Sequence, residues 1–331
     1  MKNVLLVLFL AAGPALAAPS AGQLSIDPER ITVSGISSGA HMAEQLHVAY
    51  SDLFSGAAIL SGGPWGCAEN SLVTAMSRCV KESDDPLPVA PLIENARKAA
   101  AAGRLADLAN LSDDRVWLFH GSQDTAVAAK VHDAAAMFYA AFLPAEQMRM
   151  VNDIPAGHVF PAAGHGNGCA ELVPPFVGDC GYDAAGELLQ FLYSGLAEPG
   201  DGATTGLQAV TLPGAGEANL LPTAYHFVPP ACGAEAGNCA LHVVLHGCAQ
   251  STEEVGTAFI EQSGYLPWAA ANDIVLAFPQ VEKSLVAPLN PLGCWDWWGY
   301  TGEGYLWRSA AQMRVITRWI GELTGRRNVS P

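Results

Sequence analysis

Two patterns of apolar and polar positions alternate along the chain. Short runs rich in β-branched and other apolar residues lead into small or polar loop residues, and stretches with helical spacing follow. This alternation predicts strands over residues 30–34, 56–60, 115–120, 148–154, 225–228, 241–246 and 274–278. It predicts helices over residues 39–50, 125–142, 184–193, 265–271 and 308–323. Strands as apolar as LHVVL at 241–245 are typical of a parallel sheet covered on both faces, so the predicted fold class is α/β.

Composition narrows the classes of protein to consider. The 331 residues include 16 Lys+Arg and 32 Asp+Glu, a formal net charge of −16. Nucleic acid is therefore excluded as a partner, because binding phosphate requires clustered basic side chains. Half of the residues are hydrophobic, which indicates a folded core rather than a disordered acidic chain. We expect one catalytic domain over residues 18–331, with the Gly- and Pro-containing segment 198–206 as a surface connection inside it.

The first residues and the cysteines indicate the compartment. Residues 1–17 carry Lys2, an apolar run and the small-x-small sequence ALA, which together predict a secretory signal peptide. The apolar run is too short to span a bilayer, so we expect a secreted or periplasmic protein without an integral membrane segment after signal removal. Export permits disulfides. Other connectivities remain open, but pairing nearest neighbours predicts four bridges: Cys67–Cys79, Cys169–Cys180, Cys232–Cys239 and Cys248–Cys294.

The sequence GISSG at residues 35–39 lies between a predicted strand and a predicted helix. A G-x-S-x-G motif in that context is the nucleophile elbow of α/β-hydrolases, in which a tight turn raises the serine hydroxyl above the sheet edge. Ser37 is therefore the candidate nucleophile. The backbone N–H of Ser38, the next residue, is a candidate donor to an oxyanion.

A serine nucleophile needs a base, and the base needs an orienting acid. Asp124 lies in the loop after the predicted strand 115–120, and His158 follows the predicted strand 148–154. This order, serine then acid then histidine, is that of α/β-hydrolases. Two alternatives remain open: Asp124 could cap a helix that starts near Thr125, and His165 could replace His158 as the base.

The remaining donor of an oxyanion hole commonly lies in a loop that begins His-Gly after an early strand. Here LHGCAQ occurs at residues 245–250, after the histidine loop rather than before the nucleophile. The order of strands is therefore predicted to be circularly permuted.

Aromatic residues are concentrated in the loop CWDWWGY at residues 294–300. Trp295, Trp297 and Trp298 could be core residues or could form an exposed apolar surface that binds a water-insoluble substrate. Trp65, in the loop after the strand 56–60, is a second candidate for substrate binding.

The elbow GISSGAHMA, the loop LHGCAQ and the aromatic segment CWDWW together resemble the single-domain, circularly permuted poly(3-hydroxybutyrate) depolymerases. The resemblance implies a secreted serine esterase whose triad is Ser37, Asp124 and His158, with the N–H groups of Ser38 and Cys248 as oxyanion hole. It further implies cleavage of short-chain polyhydroxyalkanoate, a water-insoluble polyester, to monomers and short oligomers.

The same resemblance implies that the chain has no separate substrate-binding domain. We also expect a monomer that requires no metal or organic cofactor. The alternatives are a secreted feruloyl or acetylxylan carbohydrate esterase and a catalytically inactive hydrolase fold that acts as a binding protein.

Overall fold

The structure is a computed structural model, and it describes residues 24–81, 87–200, 204–233 and 238–326. The signal peptide predicted at residues 1–17 lies outside the described residues, as do residues 201–203 of the predicted connection 198–206. No helix of the described residues is long and apolar enough to cross a membrane.

Eight strands form one sheet in the order β4-β3-β2-β1-β10-β11-β9-β8, and three short strands form a second sheet in the order β5-β7-β6. The six strands from β4 to β11 pair in parallel, whereas β9 and β8 add to the edge in antiparallel pairing. The strands are β1 (Ile26–Ile36), β2 (Gly56–Leu60), β3 (Arg115–Phe119), β4 (Met148–Val151), β5 (Phe160–Ala162), β6 (Asn167–Gly168), β7 (Val177–Asp179), β8 (Leu207–Thr211), β9 (Thr223–Phe227), β10 (Cys239–Leu245) and β11 (Ile274–Phe278).

Helices lie between the strands of this sheet and cover it. They are α1 (Ser38–Ala49), α2 (Leu72–Arg78), α3 (Val89–Ala101), α4 (Ala129–Tyr139), α5 (Ala184–Tyr193), α6 (Thr252–Val255), α7 (Ala258–Gln262), α8 (Tyr265–Ala271) and α9 (Ala311–Leu323). Two buried hydrophobic clusters result. All residues of β2, β10 and β11 are buried, as expected for central strands of a doubly covered sheet.

The order of strands confirms the α/β-hydrolase fold and its circular permutation. The strand that carries the nucleophile, β1, pairs with β10, and Gly35 lies opposite Leu245 although 210 residues separate them. The loops after β1, β3, β4 and β10 therefore meet at one edge of the sheet, where ligands bind in open α/β folds.

The eight cysteines form four disulfides, and the pairs are the nearest neighbours expected from the sequence. They are Cys67–Cys79, Cys169–Cys180, Cys232–Cys239 and Cys248–Cys294. The last pair has the largest sequence separation, 46 residues, and it joins the loop after β10 to the aromatic loop.

Candidate active site

The nucleophile elbow is a turn that only small neighbours permit. Ser37 has φ 57° and ψ −120°, a strained conformation for a residue other than glycine. A Cβ atom on Gly35 would lie 2.2 Å from the carbonyl oxygen of Gly39, and one on Gly39 would lie 2.4 Å from the carbonyl oxygens of Leu245 and His246. Both glycines are therefore required for β1, α1 and the loop after β10 to approach each other.

The hydroxyl of Ser37 is available for chemistry. Its backbone N–H donates to the carbonyl of Leu60 at 2.9 Å, which fixes the turn. Serine is a favoured residue before a helix because its hydroxyl can accept a backbone N–H, yet Ser37 makes no such capping bond. The hydroxyl lies instead at the wall of the active-site cleft.

Asp124 is held by the turn that follows β3. Its Oδ1 accepts the N–H groups of Ala126 at 2.8 Å and Val127 at 3.0 Å. The helix predicted from residue 125 begins only at Ala129, so Asp124 shapes a turn ahead of the helix and does not cap it. Burial tends to raise the pKa of Asp124, but the hydrogen bond and charge of His158, the Val127 N–H and the hydroxyl of Ser61 lower it to about 2.

The imidazole of His158 contacts the other carboxylate oxygen of Asp124. Its Nδ1 donates to Asp124 Oδ2 at 2.7 Å, so Nε2 is the ring atom left to accept a proton. His158 and Ser37 line the same cleft. His165, the competing candidate, is exposed in the loop between β5 and β6 and is not part of that lining. The structure therefore brings together the three residues that the sequence indicated as a triad.

Two backbone N–H groups lie beside Ser37. Ser38 is the first residue of α1, so no intrahelical carbonyl is available to its N–H. Cys248 lines the cleft between two residues whose N–H groups are engaged: Gly247 donates to Gln250 Oε1 at 2.6 Å, and Ala249 donates to the carbonyl of Leu292 at 2.6 Å. No hydrogen bond joins the Cys248 N–H to another of the described residues. This arrangement suits an oxyanion hole.

Gln250, the last residue of the LHGCAQ motif, holds this loop in place. Besides accepting the N–H of Gly247, its side chain donates through Nε2 to the carbonyls of Pro175 at 2.9 Å and Phe176 at 3.1 Å. The amide is almost fully buried. This role could not be read from the sequence, because Pro175 and Phe176 lie about 75 residues away along the chain.

Ser37 and His158 lie between two cavities. The larger is an apolar cleft of about 330 Å³, and Trp297, Trp298, Ala126 and Val127 are among its lining residues. The smaller has a volume of about 80 Å³. It is lined by the elbow, by Leu172 and Phe176, and by the loop after β10 at residues 246–250, which we call the oxyanion loop. A linear substrate can therefore extend to both sides of the nucleophile.

Proteins of known function match the chain over most of its length, although no protein-family model matches it. A poly(3-hydroxybutyrate) depolymerase from Delftia acidovorans is 38% identical over 94% of this chain. A polyhydroxybutyrate depolymerase from Talaromyces funiculosus is 31% identical over 93% of both chains. The chain belongs to the poly(3-hydroxybutyrate) depolymerase family. It spans 63% of the length of the Delftia relative.

Solved structures of a depolymerase agree in fold. The PHB depolymerase from Penicillium funiculosum has a TM-score of 0.85 and 29% identity, with 94% of this chain and 100% of that chain covered. A structure of PHB depolymerase complexed with an R3HB trimer, in a serine-to-alanine variant, gives the same values. The resemblance to this family is thereby confirmed.

Only part of the aromatic loop lines the cleft at Ser37. Trp297 and Trp298 are among its lining residues, and their rings meet edge to face at 5.6 Å. The expectation that Trp295 belongs to an exposed apolar surface is wrong. Trp295 is fully buried, and its Nε1 donates to the carbonyl of His246 at 2.9 Å, so it fixes the oxyanion loop from behind.

Trp65 is also absent from the lining of the cleft at Ser37. It is 3% exposed, stacks on Phe138 and borders a different cavity of about 470 Å³. The structure therefore does not bring Trp65 into the cavities that Ser37 lines, and its role in substrate binding stays a prediction.

His41 is a cleft residue that the sequence analysis left on a helix without a role. It lies one turn after Ser37 on α1, lines the cleft and stacks on Trp297 with ring centroids 4.4 Å apart and planes 8° from parallel. Burial, and to a smaller degree the charge of His132, lower the pKa of His41 to about 3. His41 is therefore neutral and supports the indole of Trp297 without adding charge to an apolar cleft.

Proposed function

We propose that this chain is a serine esterase that hydrolyses short-chain polyhydroxyalkanoate, chiefly poly(3-hydroxybutyrate), to monomers and short oligomers. The observation that carries the proposal is the pairing of His158 with Asp124 beside Ser37 at an apolar cleft. The relatives from Delftia and Talaromyces, which are named as depolymerases of this polymer, support the substrate class.

The reaction proceeds through an acyl-enzyme. His158 Nε2 takes the proton of Ser37 as Oγ attacks the ester carbonyl, and Asp124 stabilises the imidazolium through the 2.7 Å bond to Nδ1. The N–H groups of Ser38 and Cys248 stabilise the tetrahedral oxyanion. The imidazolium returns its proton to the departing alcohol oxygen, and a water activated by the same histidine hydrolyses the acyl-enzyme. Groups of this chain supply every step.

Apolar side chains around the cleft suit a neutral, insoluble polyester. Helix α2, the loop before β7 and the segment 284–292 expose large apolar residues that water would disfavour unless a partner covers them. These residues are Leu72, Val73, Met76, Leu172, Val173, Leu285, Val286, Leu289 and Leu292. Five of them line the cavities at Ser37, namely Leu72, Met76, Leu172, Leu289 and Leu292.

We also propose that residues 18–331 form one catalytic domain that is exported and acts as a monomer. Strands from both sides of the connection 198–206 share the eight-stranded sheet, which supports a single domain. Four disulfides support an oxidising compartment, whether periplasmic or extracellular. Light scattering after size-exclusion chromatography measures the molar mass in solution and so tests whether the protein is a monomer.

Clearing of a poly(3-hydroxybutyrate) emulsion tests the activity. The wild-type protein is expected to reduce the turbidity, and Ser37→Ala to lose this activity while its thermal midpoint stays within a few degrees. A fluorophosphonate probe is expected to label the wild-type protein and not the variant. Release of ferulate from a model ester without loss of turbidity would instead assign the protein to the carbohydrate esterases, and absence of labelling would indicate an inactive fold.

A matched pair of surface variants tests the apolar rim. Val286 is 73% exposed and lies in the turn 284–290, which also carries the cleft residue Leu289, whereas Met137 is 61% exposed and lies on α4. Neither side chain lines the cleft itself. Val286→Ser is expected to slow clearing of the emulsion several-fold and to leave hydrolysis of a soluble short ester unchanged. Met137→Ser is expected to affect neither. Equal rates of clearing by the two variants would contradict a role of the rim in polymer binding.

A further inference from the structure

A second histidine lies behind the catalytic acid. His120 directly follows β3, is 4% exposed, and donates its backbone N–H to the carbonyl of Val151 at 2.9 Å. Its side-chain Nε2 donates to the carbonyl of Val127 at 2.9 Å. The mechanism described above gives this residue no role.

The bond to Val127 adds a side-chain restraint to a turn whose ends are held by backbone bonds from Asp124 to Gly121 at 3.0 Å and from Ala128 to Val80 at 2.8 Å. Asp124 Oδ1 accepts the N–H groups of Ala126 and Val127, so the carboxylate fixes the amide side of the turn. His120 fixes the carbonyl of Val127 and therefore the opposite side. Ala126 and Val127 are also wall residues of the substrate cleft. One buried imidazole thus contacts the turn that carries both the acid and part of the cleft wall.

The same nitrogen lies close to the acid. His120 Nε2 is 3.9 Å from Asp124 Oδ2, too far for a hydrogen bond, so any effect of His120 on the acid acts through the turn. Three other groups face Asp124 or His120: His158, the hydroxyl of Ser61, and His132, whose ring centroid lies 5.5 Å from that of His120. His132 Nδ1 donates to the carbonyl of Gly62 at 3.1 Å.

We propose that His120 is a positioning residue of the esterase, which holds the turn 124–127 so that the Asp124 carboxylate stays directed at His158. The proposal rests on the proposed function. Without the bond to His120, the turn loosens and the acid drifts from the imidazole it orients. A displacement of about 1 Å at such a site costs up to about 100-fold in rate.

Two variants of similar size separate positioning from simple packing. In His120→Gln the amide can still donate to the carbonyl of Val127, whereas in His120→Met no donor remains. We expect His120→Met to lower kcat on a soluble short ester by about 10- to 100-fold, because the turn that directs Asp124 at His158 loses one of its hydrogen bonds. We expect His120→Gln, which restores a donor to the carbonyl of Val127, to recover most of the kcat.

Several results would overturn the proposal. A His120→Met variant with wild-type kcat would overturn it, and so would a His120→Gln variant as impaired as His120→Met. If His120→Met does not fold, His120→Asn takes its place, because the shorter asparagine side chain cannot reach the carbonyl of Val127. The same two results would then overturn the proposal. Labelling of Ser37 by the fluorophosphonate is followed in parallel. Absence of labelling in the wild-type protein would contradict the proposed function itself, whereas slower labelling in the variants alone supports the role of His120.

Discussion

Substitution of Gly39 by alanine tests how the elbow and the oxyanion loop depend on each other. The added Cβ would lie 2.4 Å from the carbonyl oxygens of Leu245 and His246 and 2.8 Å from the Leu245 carbonyl carbon. Ordinary contact begins near 3.4 Å, so α1 and the loop must separate by about 1 Å. Backbone atoms form both sides of the contact, and no side chain can rotate to relieve it.

The separation moves Cys248, two residues after His246, away from the oxyanion. A donor displaced by about 1 Å no longer makes a useful hydrogen bond, and losing one oxyanion donor costs about 10²- to 10³-fold in kcat, or about 2.7–4 kcal/mol. The overpacking itself is expected to reduce stability by about 1–3 kcal/mol. We therefore expect kcat on a soluble short ester to fall at least about 100-fold, with a protein that is still folded at the assay temperature.

The assay compares kcat with the thermal unfolding midpoint measured by circular dichroism. Gly216→Ala is the matched control, because a Cβ there meets nothing within 4 Å and its φ is not positive. The control is expected to keep wild-type kcat. If Gly39→Ala were folded and retained more than about a tenth of the kcat, the loop after β10 would not carry a donor to the transition state.

Two further changes follow from the disulfides and from a buried carboxyl group. Replacing Cys248 and Cys294 by alanine is expected to lower the free energy of unfolding by about 4 kcal/mol through loop entropy, and to lower kcat. The same change at Cys232 and Cys239 should cost about 2 kcal/mol and leave kcat unchanged. Denaturant titration and ester assays check both pairs, and equal losses of kcat would refute the link to the oxyanion loop. Burial raises the pKa of Glu44 well above its usual value, although the Trp65 backbone N–H partly lowers it, so folding favours the protonated acid. The free energy of unfolding of the wild type therefore falls by about 1.4 kcal/mol for each pH unit above the usual carboxyl pKa, until the raised pKa is reached. The thermal midpoint of Glu44→Gln, compared with that of the wild type, should therefore rise between pH 5 and pH 8. A difference in midpoint that does not change with pH would refute a protonated Glu44.

The sequence predicted the triad because each of its positions depends on neighbours in the chain. The constraints on Ser37 come from glycines two residues to either side, and Asp124 and His158 each follow an apolar strand closely. The permuted order was also predictable, since the loop LHGCAQ carries its own signature after the strand 241–246. Local patterns of this kind determine which residues reach the carboxyl edge of the sheet.

The aromatic residues could not be assigned in this way. Trp295 is buried because its indole meets the carbonyl of His246, a residue 49 positions earlier in the chain, and Trp65 is buried against Phe138. An apolar side chain in a Gly-flanked loop has the same local pattern whether it packs inward or faces a substrate. The edge strand β8 was missed for a related reason, as its residues are half-buried or exposed and show no apolar alternation.

The permutation makes the oxyanion hole depend on tertiary contacts alone. Ser38 and Cys248 lie more than 200 residues apart, so no local turn relates their N–H groups. Their relative position follows from the parallel register of β1 with β10 and from the backbone contact at Gly39. Gln250, Trp295 and the disulfide from Cys248 then restrain the loop from three directions. Because an oxyanion donor is effective only within a few tenths of an ångström of its position, we expect these restraints to matter for catalysis as much as the proposed triad does.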